Sequence, residues 1–471
     1  MKLVLVNPPF DLFKEGYGSK VSIKKGHLPP LGIGYIASAA RKGGHEVSIV
    51  DSPVLGYGMS EAKDAVMALR PDVIGIYSMT CTISRAGELS GLLRKAANTP
   101  IVLGGPHATC FPQEALKEYE AIDYVAVGEG EGIINELLAA IRDDREPSHI
   151  RGVAFRKKRP DGSREIVDNG KAHAAVSLDE IERPARDLYP NHLYQPLPYA
   201  YRQLPASTVI TTRGCPYSKC KFCFGAGKMK ERIRRHSITR VLDEVEELCK
   251  KYNVREVVFL DDVFLFNEAW IIPFCEKLKE KKLGITWSCA ARVDMVTKKI
   301  LKAAREAGCW GVFYGLESGV QELLDIIDKG TTVEQAKKAI AWTHEAGLES
   351  RGSFMVALPG ETPELFRKTI EFAIDIDLTF AQFTATFPDP GTELYDIALK
   401  RGKIGPYKGM NKATYIPDGY KGPEEIEEMV KTAYRSFYLR PGYVLKSLSY
   451  IRNISDVKRY IEGFLFLSGL T

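Results

Sequence analysis

The chain has no stretch approaching the ~20 consecutive apolar residues of a membrane-spanning helix. Its opening run, Met1-Lys2-Leu3-Val4-Leu5-Val6-Asn7-Pro8, is far too short for a signal peptide. Charge of one sign is also missing: 65 basic residues against 60 acidic ones leave +5 over 471 residues. No basic run is interleaved with stacking aromatics, so nucleic acid is not an expected partner. Nine cysteines, an odd number without framework spacing, exclude a disulfide-built scaffold and point to a reducing compartment. These absences predict a cytoplasmic protein with no transmembrane segment. No G-x-G-x-x-G follows the first apolar run, so a dinucleotide site is poorly supported.

What is present is concentrated in Thr211 to Phe224, T-T-R-G-C-P-Y-S-K-C-K-F-C-F. Cys215, Cys220 and Cys223 fall within nine residues. They follow a β-branched run, Ser207 to Thr212, that reads as a buried strand, and they precede a basic loop and a helix from Ser237. Three thiols thus sit at the carboxyl end of a strand, where α/β folds place their chemistry. Such a set can ligate zinc or an iron–sulfur cluster. Structural zinc usually takes a second cysteine pair at a distance, yet Cys81, Cys110, Cys249, Cys275, Cys289 and Cys309 are all solitary. A cube held by three cysteines instead keeps one iron free for another ligand. A zinc knuckle or three buried thiols is the competing reading.

The stretch resembles the cluster loop of the radical S-adenosylmethionine (radical SAM) enzymes, in which the open iron chelates SAM. The family spacing is three residues and then two; here four separate Cys215 from Cys220, and two separate Cys220 from Cys223. The extra residue alters the path of the loop and is not expected to remove a ligand.

Around this loop the chain alternates. From Met1 to about Asp144, strand-like runs at 3–6, 47–50, 73–77, 101–103 and 124–127 are separated by helical patterns at 31–42, 60–69, 84–97, 112–119 and 130–142. Five such units predict a doubly wound, Rossmann-like parallel sheet with any ligand at the carboxyl ends of its strands. The turn residues expected there are Asn7-Pro8-Pro9, Ser78-Met79-Thr80, Gly104-Gly105-Pro106-His107 and Gly128-Glu129-Gly130-Glu131. Their glycines are expected to let backbone approach a large ligand. The segments N-P-P, L-P-P-L-G-I-G-Y-I-A (28–37), G-G-P-H-A-T (104–109) and D-Y-V-A-V-G-E-G-E (123–131) resemble the cobalamin-binding domain that precedes many radical SAM domains. That resemblance makes Asn7, Pro8, Ser78, Thr80, Gly104, Gly105, His107, Gly128 and Glu129 candidate cobalamin contacts. The chain has no Asp-x-His, so the D-x-H-x-x-G motif that ligates cobalt is missing, and its lower face is left to water or another side chain. His107 is the nearest candidate; the alternative is a locally bonded turn histidine. A degenerate module that holds nothing is the bland reading of the whole domain.

Residues 146–206 read as a linker with a β-hairpin around Pro160-Asp161-Gly162, followed by a Pro- and Tyr-rich crossing. From Ser207 six further β-α units predict a partial (β/α)6 barrel over 207–400, and 401–471 read as a helical region. The unusual polar clusters all fall after strands: the cysteines, Asp261-Asp262, Arg292 with Asp294, Gly315-Leu316-Glu317-Ser318-Gly319, Pro359-Gly360-Glu361-Thr362 and Pro388-Asp389-Pro390-Gly391-Thr392. Asp261 and Asp262 can accept from the SAM ammonium, Arg292 can pair with its carboxylate, Glu317 or Ser318 can bind the ribose, and Phe222 can pack along the adenine. Their competitors are a helix cap for Asp262, Asp294 as the partner of Arg292, and core packing for Phe222. Glu361 reads as scaffold at a helix start. The Tyr- and Phe-rich residues 407–443 suggest a lid over the barrel mouth. The apolar stretch 463–470 either docks on its own domain or rests on a membrane surface.

The resemblance spans Met1 to about Arg440 and implies a cobalamin-dependent radical SAM enzyme with three cofactors: a [4Fe-4S] cluster, SAM and cobalamin. Its implied activity is methylation of an unactivated carbon, through a 5′-deoxyadenosyl radical and a methyl group carried by cobalamin. The alternatives are a cyclase, oxidase or rearrangement enzyme built from the same parts, or an iron–sulfur electron carrier. A small-molecule, lipid or peptide substrate and an electron donor such as flavodoxin or ferredoxin are the implied partners.

Overall fold

Leu3, Val4, Leu5 and Val6 are all buried, the mark of a strand covered on both faces, and they form strand β1 (Lys2–Asn7). The computed structural model describes residues 1–16, 26–406, 409–449 and 457. They divide into two units, Met1–Asp11 with His27–Tyr194, and Leu12–Gly26 with Gln195–Thr471.

In the first unit β1 is followed by α1 (Leu31–Lys42), β2 (Glu46–Asp51), α2 (Met59–Ala68), β3 (Val73–Tyr77), α3 (Ile83–Ala96), β4 (Ile101–Gly104), α4 (Pro112–Glu118), β5 (Tyr124–Ala126) and α5 (Ile134–Arg142). The parallel strands are ordered β2-β1-β3-β4-β5. The order reverses between β1 and β3, and a doubly wound sheet opens its ligand crevice at such a reversal.

The hairpin expected inside a linker forms, but it belongs to this sheet. Strands β6 (Val153–Lys158) and β7 (Arg164–Asp168) continue it antiparallel, with Tyr124 opposite Phe155 and Val125 opposite Ala154, to make seven strands. Pairing removes the open edge of β5, which would otherwise expose unbonded N–H and C=O groups. The Pro- and Tyr-rich residues that follow also pack on this unit. Tyr189 donates to the Pro30 carbonyl at 2.7 Å, and Tyr194 donates to the Asp51 carboxylate at 2.6 Å.

The second unit carries six parallel strands in chain order: β8 (Ala206–Val209), β9 (Glu256–Phe259), β10 (Thr286–Ala291), β11 (Cys309–Glu317), β12 (Glu349–Val356) and β13 (Phe380–Ala385). The intervening helices are α6 (Ile238–Tyr252), α7 (Glu268–Glu280), α8 (Lys298–Glu306), α9 (Gln321–Ile326), α10 (Val333–Glu345) and α11 (Pro363–Asp375). Local chemistry starts four of them: Ser237, Thr297, Thr332 and Thr362 each accept a backbone N–H from three residues ahead. Each such cap stabilises its helix by about 0.5–2 kcal/mol. The amino-terminal rim is tied by Glu256, which is fully buried. It accepts from Trp310 Nε1 at 2.6 Å, from Thr286, and from the backbone N–H groups of Arg202 and Gln203.

The carboxyl-terminal tyrosines correct the expectation of a lid. After α12 (Glu393–Lys400) and the short pair β14 (Gly402–Ile404) and β15 (Tyr415–Pro417), α13 (Pro423–Tyr438) lies along the open edge of β13. The Tyr438 hydroxyl donates to the Ala381 carbonyl at 2.7 Å and accepts from the Ala381 N–H at 3.0 Å. Tyr434 spans Phe383 in the same way at 3.2 and 3.3 Å, and Tyr443 donates to the Thr379 carbonyl at 3.0 Å. The carbonyls of residues 379, 381 and 383 and the N–H groups of 381 and 383 face outward at the strand period of two, and the tyrosines answer that spacing. These rings therefore seal an edge rather than cover a mouth. Tyr407, the apolar tail 463–470 and nearly all of the expected helical region beyond 449 lie outside the described residues.

Tyr438→Phe leaves a buried N–H and C=O without a partner and is expected to destabilise the second unit by about 1–3 kcal/mol. The check is a lowered urea midpoint; an unchanged midpoint would mean that the hydroxyl is not needed.

Candidate functional site

Because the six strands run parallel and in chain order, every strand-to-helix turn of the second unit emerges on one rim. The cysteine loop leaves from Thr212-Arg213, which pairs antiparallel with Arg234-Arg235 and closes the excursion at its base. Gly214 is required there: its φ is +92°, and a Cβ would come within 3.2 Å of the Glu231 carbonyl. The four-residue spacing is taken up by a tight turn at Ser218, with φ +47°, whose hydroxyl donates to the Cys215 carbonyl. The Ala226 N–H donates to the Cys223 carbonyl at 3.0 Å, and the backbone N–H groups of Gly225 and Ala226 lower the Cys223 thiol against the effect of burial.

Burial holds the Cys220 and Cys223 thiols above the ordinary range. Lys329 and Arg292 pull Cys220 back down, while Cys223 raises Cys220 and Cys215 raises Cys223, so the three thiols sense one another. They are not drawn onto one point: among the described residues no group of three His, Cys, Asp or Glu side chains is arranged to hold a metal ion. The donor set nonetheless fits a thiolate-bound cluster. It offers three thiols on one turn-rich loop, with backbone N–H groups lowering one thiol and two cations beside another.

Arg292 is the hub of this rim. Its guanidinium grips Asp294 through two bonds of 3.0 and 3.2 Å and donates to the Lys329 carbonyl at 2.9 Å. It approaches the Cys220 sulfur at 3.8 Å and lies over the Tyr217 ring at 4.1 Å. Tyr217 in turn donates to Asp328 at 2.8 Å and occupies the place a Cβ on Gly330 would need. Asp294 thus holds Arg292 against the cysteine loop. Lys329 is buried, pairs with Glu317 at 2.7 Å, and lies 5.6 Å from the Phe222 ring centre.

The remaining rim residues divide between ligand-facing and structural. Glu317 adopts φ +62° at a register shift between β11 and β12, the kind of backbone strain that collects at functional sites. Asp261 is spent: its carboxylate accepts from the Thr211 N–H at 2.6 Å and from the Thr211 hydroxyl, tying β8 to β9. Burial pushes its pKa up to about 6. A carboxylate so engaged does not wait for an ammonium, which corrects the paired-aspartate expectation; Asp262 alone is exposed on the rim. Ser318 is likewise turned into the fold, its hydroxyl 3.2 Å from that of Thr369 and accepting the Val320 N–H. Phe222 is half-buried and packs against Leu323, Ile327, Leu358 and Leu394.

Lys329, Tyr217 and Asp328 were missed by the sequence reading. For Asp328 and Lys329 the one local signal is a glycine turn, Lys329-Gly330, after a short helix, while Tyr217 lies inside the cysteine loop itself. Glu361 is not a cap, a role Thr362 takes. It is fully buried, with Oε1 accepting from the Ala357 N–H at 2.5 Å and the Tyr420 hydroxyl at 2.8 Å.

In the first unit the candidate residues also share one rim, after β1, β3, β4 and β5. Asn7 donates to Asp51 at 2.8 Å beside the sheet reversal. The Ser78 hydroxyl donates to the Gly104 carbonyl at 3.0 Å, and Ser78 accepts the His107 N–H at 3.2 Å. Two of the glycines are required by the fold itself. A Cβ on Gly105 would fall 2.5 Å from the Ser78 carbonyl, and one on Gly128 would fall 2.9 Å from Lys171. A Cβ on Gly104 would meet only Ala126 at 4.0 Å, Thr80 is half-buried and Met79 is exposed. The His107 ring packs on Phe111, with centres 4.9 Å apart.

The comparisons agree with this division. Residues 24–138 match the B12 binding domain and residues 209–373 the radical SAM superfamily. An uncharacterized methyltransferase of Pyrococcus horikoshii is 33% identical over 99% of this chain and 98% of its own length. The anaerobic magnesium-protoporphyrin IX monomethyl ester cyclase of Rubrivivax gelatinosus is 27% identical over 94% of this chain and 78% of its own. Among solved structures, the radical SAM methyltransferase TsrM of Kitasatospora setae, with cobalamin and a [4Fe-4S] cluster bound, superposes with a TM-score of 0.71. It is 17% identical, over 99% of this chain and 98% of its own. The chain belongs to the radical SAM enzymes with an N-terminal cobalamin-binding domain, whose cofactors are a [4Fe-4S] cluster, SAM and cobalamin.

Burial raises the Glu361 carboxyl from 4.5 to about 8. Between those values the folded chain keeps a proton that the unfolded chain has released, so stability falls as pH rises from about 5 to about 8. Glu361→Gln is expected to flatten that slope in denaturation midpoints measured across the range; an unaltered slope would reject the assignment.

Proposed function

We infer that this member of the family is a methyltransferase that places a methyl group on an unactivated carbon. The observation that carries the reading is the Cys220 thiol, held on the functional rim by Arg292 and flanked by the buried Glu317–Lys329 pair. It is supported by the methyltransferase relative that matches nearly end to end. Cys215, Cys220 and Cys223 would hold the cluster, and Asp262 and Glu317 would receive SAM. The rim at Asn7, Pro8, Ser78, Thr80 and Gly104 would receive cobalamin. When bound, the cluster supplies the electron that cleaves SAM and cobalamin carries the methyl group. The chain supplies position. Arg292 and Lys329 offset the negative charge of the cysteine loop, and Tyr217, wedged over Gly330, fixes that loop against the turn after α9.

A second reading is favoured by the cyclase relative, which covers most of this chain: the same parts then close a ring and transfer no methyl group. A low-potential donor of the flavodoxin or ferredoxin type would supply the electron, and the substrate is a small molecule. No helix among the described residues is long and apolar enough to cross a membrane, which fits a cytoplasmic site of action.

Anaerobic incubation of the reconstituted chain with SAM is expected to yield 5′-deoxyadenosine, with two SAM consumed per turnover for a methyltransferase and one for a cyclase. Cys220→Ala is expected to lose both iron and cleavage while keeping the fold by circular dichroism; retention of both would reject the ligand set.

With cobalamin bound, the cobalt(II) form is expected to give an electron paramagnetic resonance spectrum without nitrogen hyperfine structure from protein, because the D-x-H-x-x-G motif is missing. Such structure, lost in His107→Ala, would instead make that histidine a ligand.

A further inference from the structure

Buried polar groups are normally partnered, and each exception asks for an explanation. At the amino-terminal rim of the second unit Glu256 follows the rule, receiving four donors, although Arg351 Nε nearby stays unpaired. Near the opposite rim the rule fails. Thr386 Oγ1, Asp389 Oδ1 and both carboxamide atoms of Asn411 are out of reach of solvent and have no hydrogen-bond partner.

The backbone brings these residues to one neighbourhood. Thr386 directly follows β13, and its N–H donates to the Val356 carbonyl at the end of β12 at 2.7 Å. The preceding Ala385 N–H donates to the Met410 carbonyl at 2.8 Å, which sets Asn411 beside the same strand end. Asp389 lies in the turn three residues on, and that turn adjoins the cysteine loop. The Leu394 N–H bonds the Lys221 carbonyl at 2.9 Å, and a Cβ on Gly391 would meet the Lys228 side chain. Thr386 is only 2% exposed, so its hydroxyl is no surface group at rest.

We propose that Thr386, Asp389 and Asn411 form a substrate subsite that takes a hydroxyl or amino group and rejects anions. The proposal rests on the reading of this rim as the place where a substrate reacts. Its chemistry follows from the open atoms. Asn411 offers one acceptor and two N–H donors, Thr386 a hydroxyl, and Asp389 a carboxyl oxygen. Burial lifts Asp389 to about 7, so an ammonium beside it would offset the carboxylate, whereas an anion there would meet that carboxylate and the desolvation that already disfavours its charge; the cation beside this turn, Lys228, packs at Gly391. A purely hydrocarbon substrate leaves all four atoms unpaired and is disfavoured. Entry requires the segment carrying Asn411 to give way. Beside the rim it is held by the Ala385–Met410 bond and by the Met410 N–H donated to the Gly16 carbonyl at 2.7 Å.

The full chain, reconstituted anaerobically, is compared with the double variant Thr386→Val, Asn411→Leu and with Asp389→Asn by thermal unfolding. The probes are ethanolamine, ethylene glycol and acetate. At about 100 mM, ethanolamine and ethylene glycol are expected to raise the melting temperature of the parent chain by ~1–2 °C, and acetate not at all. The double variant should lose both rises, and Asp389→Asn should lose only that of ethanolamine. Should the double variant fold poorly, the contrast made by Asp389→Asn decides alone. Equal shifts in every chain, or protection by acetate, would overturn the subsite. So would a tenfold loss of substrate-free SAM cleavage in the double variant, because the residues would then serve SAM or the fold. Protection needs no methyl transfer, so a parent chain that is protected yet consumes one SAM per turnover rather than two refutes the methyltransferase reading and upholds the subsite.

Discussion

The guanidinium of Arg292 is the interaction on which the second unit's rim depends. It joins the end of β10, the turn after α9 and the cysteine loop, three segments with no local reason to meet. Its charge matters as much as its reach. Burying a cation is costly unless it is paired and hydrogen-bonded, and Asp294 meets that need in two-pronged geometry. Thus neutralised, the group can stand beside Cys220 and stack on Tyr217 without disrupting the core. A lysine in its place would keep the charge but lose the planar fork that reaches several partners at once.

The parallel sheet makes that meeting possible. With β8 to β13 in chain order, each strand delivers its following turn to the same rim, so residues over a hundred positions apart in sequence become neighbours. The two rims then divide their work. Glu256, with four donors, fastens the amino-terminal side; the carboxyl side keeps strain at Glu317 and unpaired atoms at Thr386, Asp389 and Asn411. Departures from local satisfaction of this kind mark the places where a fold gives up stability for chemistry.

Much of this was legible in the chain because it is local. Period-two and period-3.6 patterns located the principal strands and helices to within a few residues, since a buried strand or an amphipathic helix writes its own spacing. The cysteine loop was recognisable because three thiols in nine residues have few physical uses. The tyrosines of 434–443 were noticed, yet their role was misread. A dense aromatic stretch announces burial but not the surface it will bury, and only the outward backbone of β13, some fifty residues earlier, shows what they meet.

The sequence by itself determined the alternation of elements, the helix caps at Ser237, Thr297, Thr332 and Thr362, and the set of polar residues that must follow each strand. All of these are set by neighbours a few positions away. Tertiary structure alone decided which of those residues remain available. Asp261 was taken by Thr211 and Ser318 by Thr369, while Arg292 was held by Asp294 and Lys329 came from an unmarked turn to Glu317. It also decided that the hairpin joins the first sheet rather than a linker, and that this sheet reverses between β1 and β3. The reason is physical: a hydrogen bond is satisfied by whichever group arrives within about 3 Å, and that distance is a property of the folded chain.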